Sequence, residues 1–371
     1  MAGPARQFPP TGNCGTIDED RKSGPYYVFD KVCKGDTMRK FSSPAVVLAL
    51  VASVSLATAG CSQIGRLKGM MAFKDANTLY RQQDYRGATA KYEEALLGCA
   101  GGADCTDPML VASYFYLANS YDNLYRPGKR GEAANDAQLT KAIDNYKKSA
   151  TLDANPATKT LALQYLVNAF GPDKLNDPAQ SEPILQQMIQ MDPKDPANYF
   201  VLAGIYEQNG DYEMAEATLL KAREAKPSDS NVYMQLAGFY NRQGEFPKTI
   251  EALQQRASNE PNNPEAFYTM ATYYWDKAYR DFRLPEAEKI KYVQSGVDAV
   301  DKAISLKGDY VEALVYKNLL LRLQANLEKS PARQQALLKE ADTFRNRAEE
   351  LRKQKAAAPA AAPGRGAGRG E

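Results

Sequence analysis

The sequence has no histidine. That removes Ser-His-Asp and Cys-His catalysis, histidine general bases and histidine-ligated metals. Tryptophan is nearly absent as well, with one residue against 12 Phe and 23 Tyr. Charge of one sign is also missing, since 47 Lys and Arg face 45 Asp and Glu. Up to Gly60 the chain carries seven basic and five acidic side chains, so positions 61–371 hold basic and acidic groups in equal number. A neutral body lacks the basic footprint of a nucleic-acid binder, and no nucleic-acid partner is expected. No glycine pair is followed by the Lys-Ser/Thr of a phosphate cradle. Carboxylate pairs such as Glu93-Glu94 and Glu349-Glu350 are adjacent on helical segments, where sequence neighbours point apart. A solvated helix face accounts for them. The chain therefore reads as no enzyme, with no cofactor, no metal site and no small-molecule substrate.

There is one long apolar run, Phe41 to Gly60. It follows the basic Met38-Arg39-Lys40, has an apolar core from Ala45 to Ala57, and ends in small residues before Cys61. A core this short barely spans a bilayer, which needs roughly 20 apolar residues. Its three-part order is that of an export signal. Thr58-Ala59-Gly60-Cys61 resembles the lipobox of bacterial lipoproteins. That resemblance implies that residues 38–60 are a removed signal peptide and that Cys61 is the lipidation site. It also implies a lipid-anchored protein of the cell envelope. Ser62, rather than an inner-membrane retention Asp, follows the cysteine, so the expected place is the outer membrane, facing the periplasm. Two other readings stay open: an uncleaved inner-membrane anchor with a cytoplasmic tail, and a secretory signal cleaved without lipid. Residues 1–37 hold Cys14 and Cys33 and no apolar periodicity. They read as an upstream extension before a start at Met38, or as a disordered tail.

Downstream the sequence repeats. Pro193, Pro227 and Pro261 are evenly spaced, and Tyr199, Tyr233 and Phe267 keep the same step. Leu202, Leu236 and Met270 share it, as do Ala203, Ala237 and Ala271, and Tyr206, Tyr240 and Tyr274. A fixed step in the range of about 20–50 residues marks stacked units that cannot bury their apolar faces alone. Tyr199-x2-Leu202-Ala203-x2-Tyr206, Gly210-x-Tyr212, Ala215, Leu219, Ala222 and Pro227 resemble the tetratricopeptide repeat (TPR). The resemblance implies an all-α, right-handed superhelical solenoid of antiparallel helix pairs, A and B, about six to seven units long. A first unit, from Ala76 to Ala95, matches the Ala203 to Ala222 stretch of the fourth position by position. A second runs from Tyr114 to Tyr146, with an insertion between Asp122 and Lys141. A third, near Leu161 to Pro193, is degenerate. The sixth has an insertion of similar size between Trp275 and Ser295, and a seventh pair ends near Lys355.

Asp107-Pro108, Asp195-Pro196, Asn263-Pro264 and Ser330-Pro331 predict helix starts, a capping side chain before a proline at the first helical position. The solenoid is thus expected over 61–355, closed by a capping helix that places Leu338, Ala341, Ala348 and Leu351 on one face. Residues 356–371, rich in Ala, Pro, Gly and Arg, read as a disordered tail.

Cys99 and Cys105 flank a glycine-rich loop between the first two units. In an exported protein they are expected to pair as a disulfide. Free thiols and half of a soft-metal site are the alternatives. The TPR resemblance also implies a ligand groove lined by helix-A side chains. Carried over, these are Phe73, Asn77, Tyr80 and Arg81; Phe115, Asn119, Asp122 and Asn123; Phe200, Glu207 and Gln208; Met234, Asn241 and Arg242; and Tyr268, Trp275 and Asp276. The second insertion adds Arg280 and Phe282. Amides satisfy peptide backbone groups and aromatics supply contact area at low entropic cost. The reading is a non-catalytic scaffold that binds protein or peptide partners. An envelope enzyme acting on cell-wall glycan through two carboxylates, and an inner-membrane adaptor, are the competing readings. At the insertions, helix extension with a packing role competes with a binding surface.

Overall fold

A computed structural model describes the backbone of residues 44–99 and 104–357, with side chains over 63–99 and 104–357. The expected extension at 1–37, the side chains of the expected signal peptide, Cys61, and the tail beyond Ala357 lie outside what is described. Among the described residues there are fourteen α-helices in sequential antiparallel pairs, seven in all, and no strand. The pairs are α1 (Pro44–Arg81) with α2 (Tyr85–Leu97), α3 (Ser113–Leu124) with α4 (Ala133–Leu152), and α5 (Pro156–Ala169) with α6 (Pro178–Met191). They continue as α7 (Pro196–Gln208) with α8 (Tyr212–Ala225), α9 (Ser230–Arg242) with α10 (Phe246–Asn259), α11 (Pro264–Arg280) with α12 (Glu286–Leu306), and α13 (Val311–Leu327) with α14 (Pro331–Ala357). Odd-numbered helices are the A helices of the repeat. No described helix is long and apolar enough to cross a membrane.

Local chemistry sets the helix starts. The Asp195 carboxylate accepts from the Ala197 amide and the Asn263 side chain from the Glu265 amide, both at 3.0 Å. Asn155 and Asp229 do the same for α5 and α9, two caps the sequence reading passed over. Each such cap contributes about 1 kcal/mol. The expected start at Asp107-Pro108 is corrected: α3 begins at Ser113. Asp107 is held instead by Arg66 at 2.5 Å and accepts from the Met109 amide, which shapes an irregular turn. That turn drives Leu110 and Val111 inward against Cys105 and Tyr114. At Ser330 the start stands, with the Gln334 amide donating to its carbonyl at 2.9 Å. Gly210 and Gly244 make the A-to-B turns at φ +83° and +77°, a left-handed conformation that glycine adopts freely.

The even step of the sequence reappears as repeated hydrogen bonds. The Tyr199 and Tyr233 hydroxyls donate to the carbonyls of Pro193 and Pro227 at 3.1 and 2.7 Å. The Tyr206 and Tyr240 hydroxyls donate to Glu182 and Glu216 at 2.6 and 2.8 Å. Each ring is buried and its hydroxyl reaches the preceding B helix or its end, so one residue type both fills the core and ties neighbouring units. Burial first, then the carboxylate, pushes the Tyr206 and Tyr240 hydroxyls up from their ordinary range, so both remain protonated donors at neutral pH. Alanines at the A–B crossings, among them Ala76, Ala118, Ala203, Ala237 and Ala271, are buried and let the helices approach. One core spans α1–α6 and another α6–α13. Val311 and Leu314 meet Ala348, Phe344 and Leu351 of α14, the apolar face expected of the closing helix.

The insertions resolve differently. In unit six α11 and α12 have 17 and 21 residues, against 13 and 14 for α7 and α8, so the extra length becomes a longer hairpin. In unit two only the second helix grows: α3 keeps 12 residues and α4 has 20. Proline explains the asymmetry. The chain leaves α3 at Tyr125 (φ −65°, ψ 139°), and Arg126, ahead of Pro127, stays extended at φ −121°, ψ 112°, so the helix does not resume. The Asn135 side chain then fastens the loop to α4, accepting from the Arg126 amide at 2.8 Å and donating to the Arg126 and Lys129 carbonyls at 3.1 Å.

Candidate partner-binding face

The A helices present two different surfaces along the array. In the first two units most of the expected groove residues are engaged in the protein itself. Phe73 packs on Tyr92, and Asn77 accepts from the Tyr92 hydroxyl at 2.7 Å. The Tyr80 hydroxyl donates to Asn119 at 2.7 Å, and Asn119 donates to the Tyr146 hydroxyl at 3.2 Å. Asp122 accepts from Lys174 at 2.6 Å with its side chain 7% exposed. Phe115 and Asn119 are buried and the Asp122 carboxylate is nearly so. The third unit covers Phe115 and Asp122. Tyr165 of α5 lies 5.7 Å from Phe115 and stacks on Tyr146 at 5.3 Å, and Lys174 reaches over from the α5–α6 loop. Of this first group, Arg81 and Asn123 are exposed.

From unit four onward the A-helix face is more open. Phe200 and Met234 are half-buried, and the Arg256 guanidinium donates to the Met234 sulfur at 3.0 Å. Asn241 and Gln208 are exposed. Arg242 makes a bidentate pair with Glu207 at 2.7 and 2.8 Å, bridging α9 to α7. Arginine and carboxylate forks match in geometry, so this pair fixes two neighbouring A helices as well as offering a polar rim. Tyr268 and Trp275 come together against Tyr316 of α13, with ring centroids 5.4 and 5.7 Å away. Burial is the main cause that pushes the neighbouring Tyr310 hydroxyl up to about 12. Trp275 also stacks on Tyr279 at 4.8 Å and 11°. Beyond it, Phe282 is 87% exposed and Arg280 pairs with Asp276 on its own helix. An exposed tip of this kind carries little packing energy. Changing Arg280 and Phe282 together to alanine is expected to leave the melting temperature within about a degree, as for surface substitutions generally. The same variant should lose partner crosslinking if the tip is a contact; a fall in melting temperature would show that the tip packs.

A cavity that the sequence reading did not find lies between α5, the α5–α6 loop and α7, with a volume near 360 Å³. Its walls include Phe170, Val201 and Ile205, and Asn168 and Gln208 stand at its polar edges. The signal that could have revealed it is Gly204. Glycine inside a helix costs about 0.5–1 kcal/mol relative to alanine. Packing does not require it, because a Cβ at Gly204 would meet nothing within 4 Å.

Cys99 and Cys105 are joined in a disulfide, six residues apart, tying the end of α2 to the chain before α3. Among the described residues no group of three His, Cys, Asp or Glu side chains is arranged to hold a metal ion.

Residues 174–239, from the α5–α6 loop through most of α9, match the family model described as tetratricopeptide repeat. With its helix pairs, repeat bonds and capped turns, the fold is a TPR-like solenoid. Among solved structures, the C-terminal part of a TPR repeat-containing protein from Cytophaga hutchinsonii is 14% identical, covering 75% of this chain and 98% of its own, with a TM-score of 0.47. A tetratricopeptide repeat protein from Parabacteroides merdae is 12% identical, covering 77% and 98%, with a TM-score of 0.40. YrrB, described as a TPR protein with an unusual peptide-binding site, is 17% identical, covering 53% and 89%, with a TM-score of 0.35. No curated protein matches the sequence.

Proposed function

We propose that this protein is a lipid-anchored scaffold that holds protein or peptide partners in the bacterial cell envelope. The observation that carries the binding half is the open A-helix face from α7 to α11, where exposed amides alternate with half-buried aromatics beside a cavity. Such a surface suits an extended or helical segment of another protein, since amides satisfy main-chain groups and rings supply contact area. The envelope half rests on Cys61 and its preceding residues, and it is supported by the Cys99–Cys105 disulfide, a bond that persists in oxidising compartments. Partners then meet the scaffold in the periplasm, with the outer membrane as the anchor's place.

The anchor has a direct test. Cys61→Ser should give an unacylated precursor that no longer partitions with membranes. Several acyl chains, each stabilised by ~0.8 kcal/mol per buried methylene, make the wild-type anchor effectively permanent. Intact-mass measurement of the mature protein from membranes decides the matter. A mass that retains residues 38–60 would leave the inner-membrane adaptor as the better reading, and a cleaved chain without acyl chains would leave the unlipidated secretory one. Photo-crosslinking from Asn241 and Trp275 in intact cells tests the binding half, with a discrete adduct as the expected result.

A further inference from the structure

We infer that the cavity between α5, the α5–α6 loop and α7 takes an apolar side chain of a peptide that carries a basic residue next to it. The inference rests on the scaffold reading and names the ligand chemistry of one place on it. A volume near 360 Å³ is at the small end of ligand sites and suits a side chain or two rather than a cofactor. Phe170, Val201 and Ile205 give it apolar walls. Val201 is 47% exposed on the face of α7 that looks into the cavity, so an apolar surface is left for something to cover. Gly204 sits beside it with open space where a Cβ would stand, which keeps the entrance clear for a close approach of ligand backbone.

Charge selects the occupant. Asp173 is the one ionisable side chain on the lining, and it has no ion-pair partner among the described residues. The cation next to it in sequence, Lys174, is turned to Asp122 at 2.6 Å. An acidic peptide or a terminal carboxylate would meet the Asp173 carboxylate, while Arg130 is bonded to the neighbouring Pro172 carbonyl. A Lys or Arg flanking the anchor residue finds a partner in Asp173. The wall is also held in place before any ligand arrives, by Lys174 on one side and by Arg130, which donates to the Pro172 carbonyl at 3.3 Å. A fixed wall lowers the ordering cost of binding.

The test uses the full-length protein in detergent and two fluorescently labelled peptides, acetyl-Gly-Phe-Arg-Gly-amide and acetyl-Gly-Phe-Glu-Gly-amide, read by anisotropy. The arginine peptide should bind at least about tenfold more tightly than its glutamate twin. Gly204→Leu should abolish binding while the melting temperature stays the same or rises, because the new side chain enters open space. Val201→Lys, at an exposed position, should also abolish binding and leave the fold intact. Asp173→Asn should erase the preference between the peptides. Equal binding of the two peptides by the wild type, no binding of either, or undiminished binding to the leucine and lysine variants would overturn the inference. The scaffold reading has its own readout: crosslinking from Asn241 and Trp275 would continue even if this pocket proves empty of peptide.

Discussion

Gly98→Val should separate the first helix pair and cost about 3 kcal/mol or more, at or beyond the upper end of overpacking penalties. The reason is contact, not backbone conformation. Gly98 lies at φ −71°, ψ −10°, which any residue adopts. A Cβ there would stand 2.6 Å from the Gly69 Cα, 2.7 Å from the Gly65 carbonyl oxygen and 2.9 Å from the Gly69 nitrogen. All three are backbone atoms, so no rotamer change relieves them. The reciprocal holds at Gly69, where a Cβ would meet the Ala95 carbonyl at 2.8 Å. The glycines therefore set the distance between α1 and the end of α2, and the loop that the disulfide closes starts from that point. Hydrogen exchange locates the effect. Amides of α1 and α2 should lose protection in the valine variant while those of α7–α10 keep theirs, because stability in a stacked array is a sum of neighbour terms. Unchanged protection in α1 and α2 would mean that the two helices do not meet so closely.

How much of this was legible in the sequence differs by residue. The even step at Tyr199, Tyr206, Tyr233 and Tyr240 carried the fold, because each tyrosine occupies the same buried place and makes the same bond in its unit. The Asn-Pro and Asp-Pro starts were readable at Asp195 and Asn263, and failed at Asp107. Asp107 accepts from the amide two residues on in the same way but is followed by an irregular turn, its other carboxylate oxygen bonded by Arg66 from 41 residues earlier. The surroundings of Phe115 and Asp122 were not legible, because Tyr165 and Lys174, which cover them, belong to the degenerate third unit, where the template says nothing. Asn119 is closed in by Tyr80 and Tyr146 of the first two units. Gly98 was silent because its role lies in the backbone of α1 that approaches it, and that is a tertiary fact. At the second insertion, the longer hairpin followed from length alone, whereas at the first one Pro127 decided the outcome.

Lys174→Met should cost about 2–4 kcal/mol, somewhat below the usual 3–5 kcal/mol for breaking a buried pair because the site is not wholly dry. The two side chains are 16% and 7% exposed and come from positions 52 residues apart. Without the ammonium, Asp122 keeps only the Tyr146 hydroxyl at 3.4 Å and is left as a charge in a nearly closed space. The converse change is milder. Asp122→Leu leaves Lys174 on a flexible stem that can turn its head to water, so about 1–2 kcal/mol is expected. The double variant should recover much of the loss, since replacing a buried pair by apolar groups of similar volume is often close to neutral. Urea midpoints for the two single variants and the double variant give the coupling, expected at about 1.5–3 kcal/mol. The same three proteins also test what the pair does for binding. If Lys174 holds the α5–α6 loop as one wall of the 360 Å³ cavity, the single lysine variant should lose affinity for the arginine peptide even at temperatures where it is fully folded. Costs that simply add, with peptide affinity untouched, would show that the loop stands without the pair and that Asp122 is buried for packing alone.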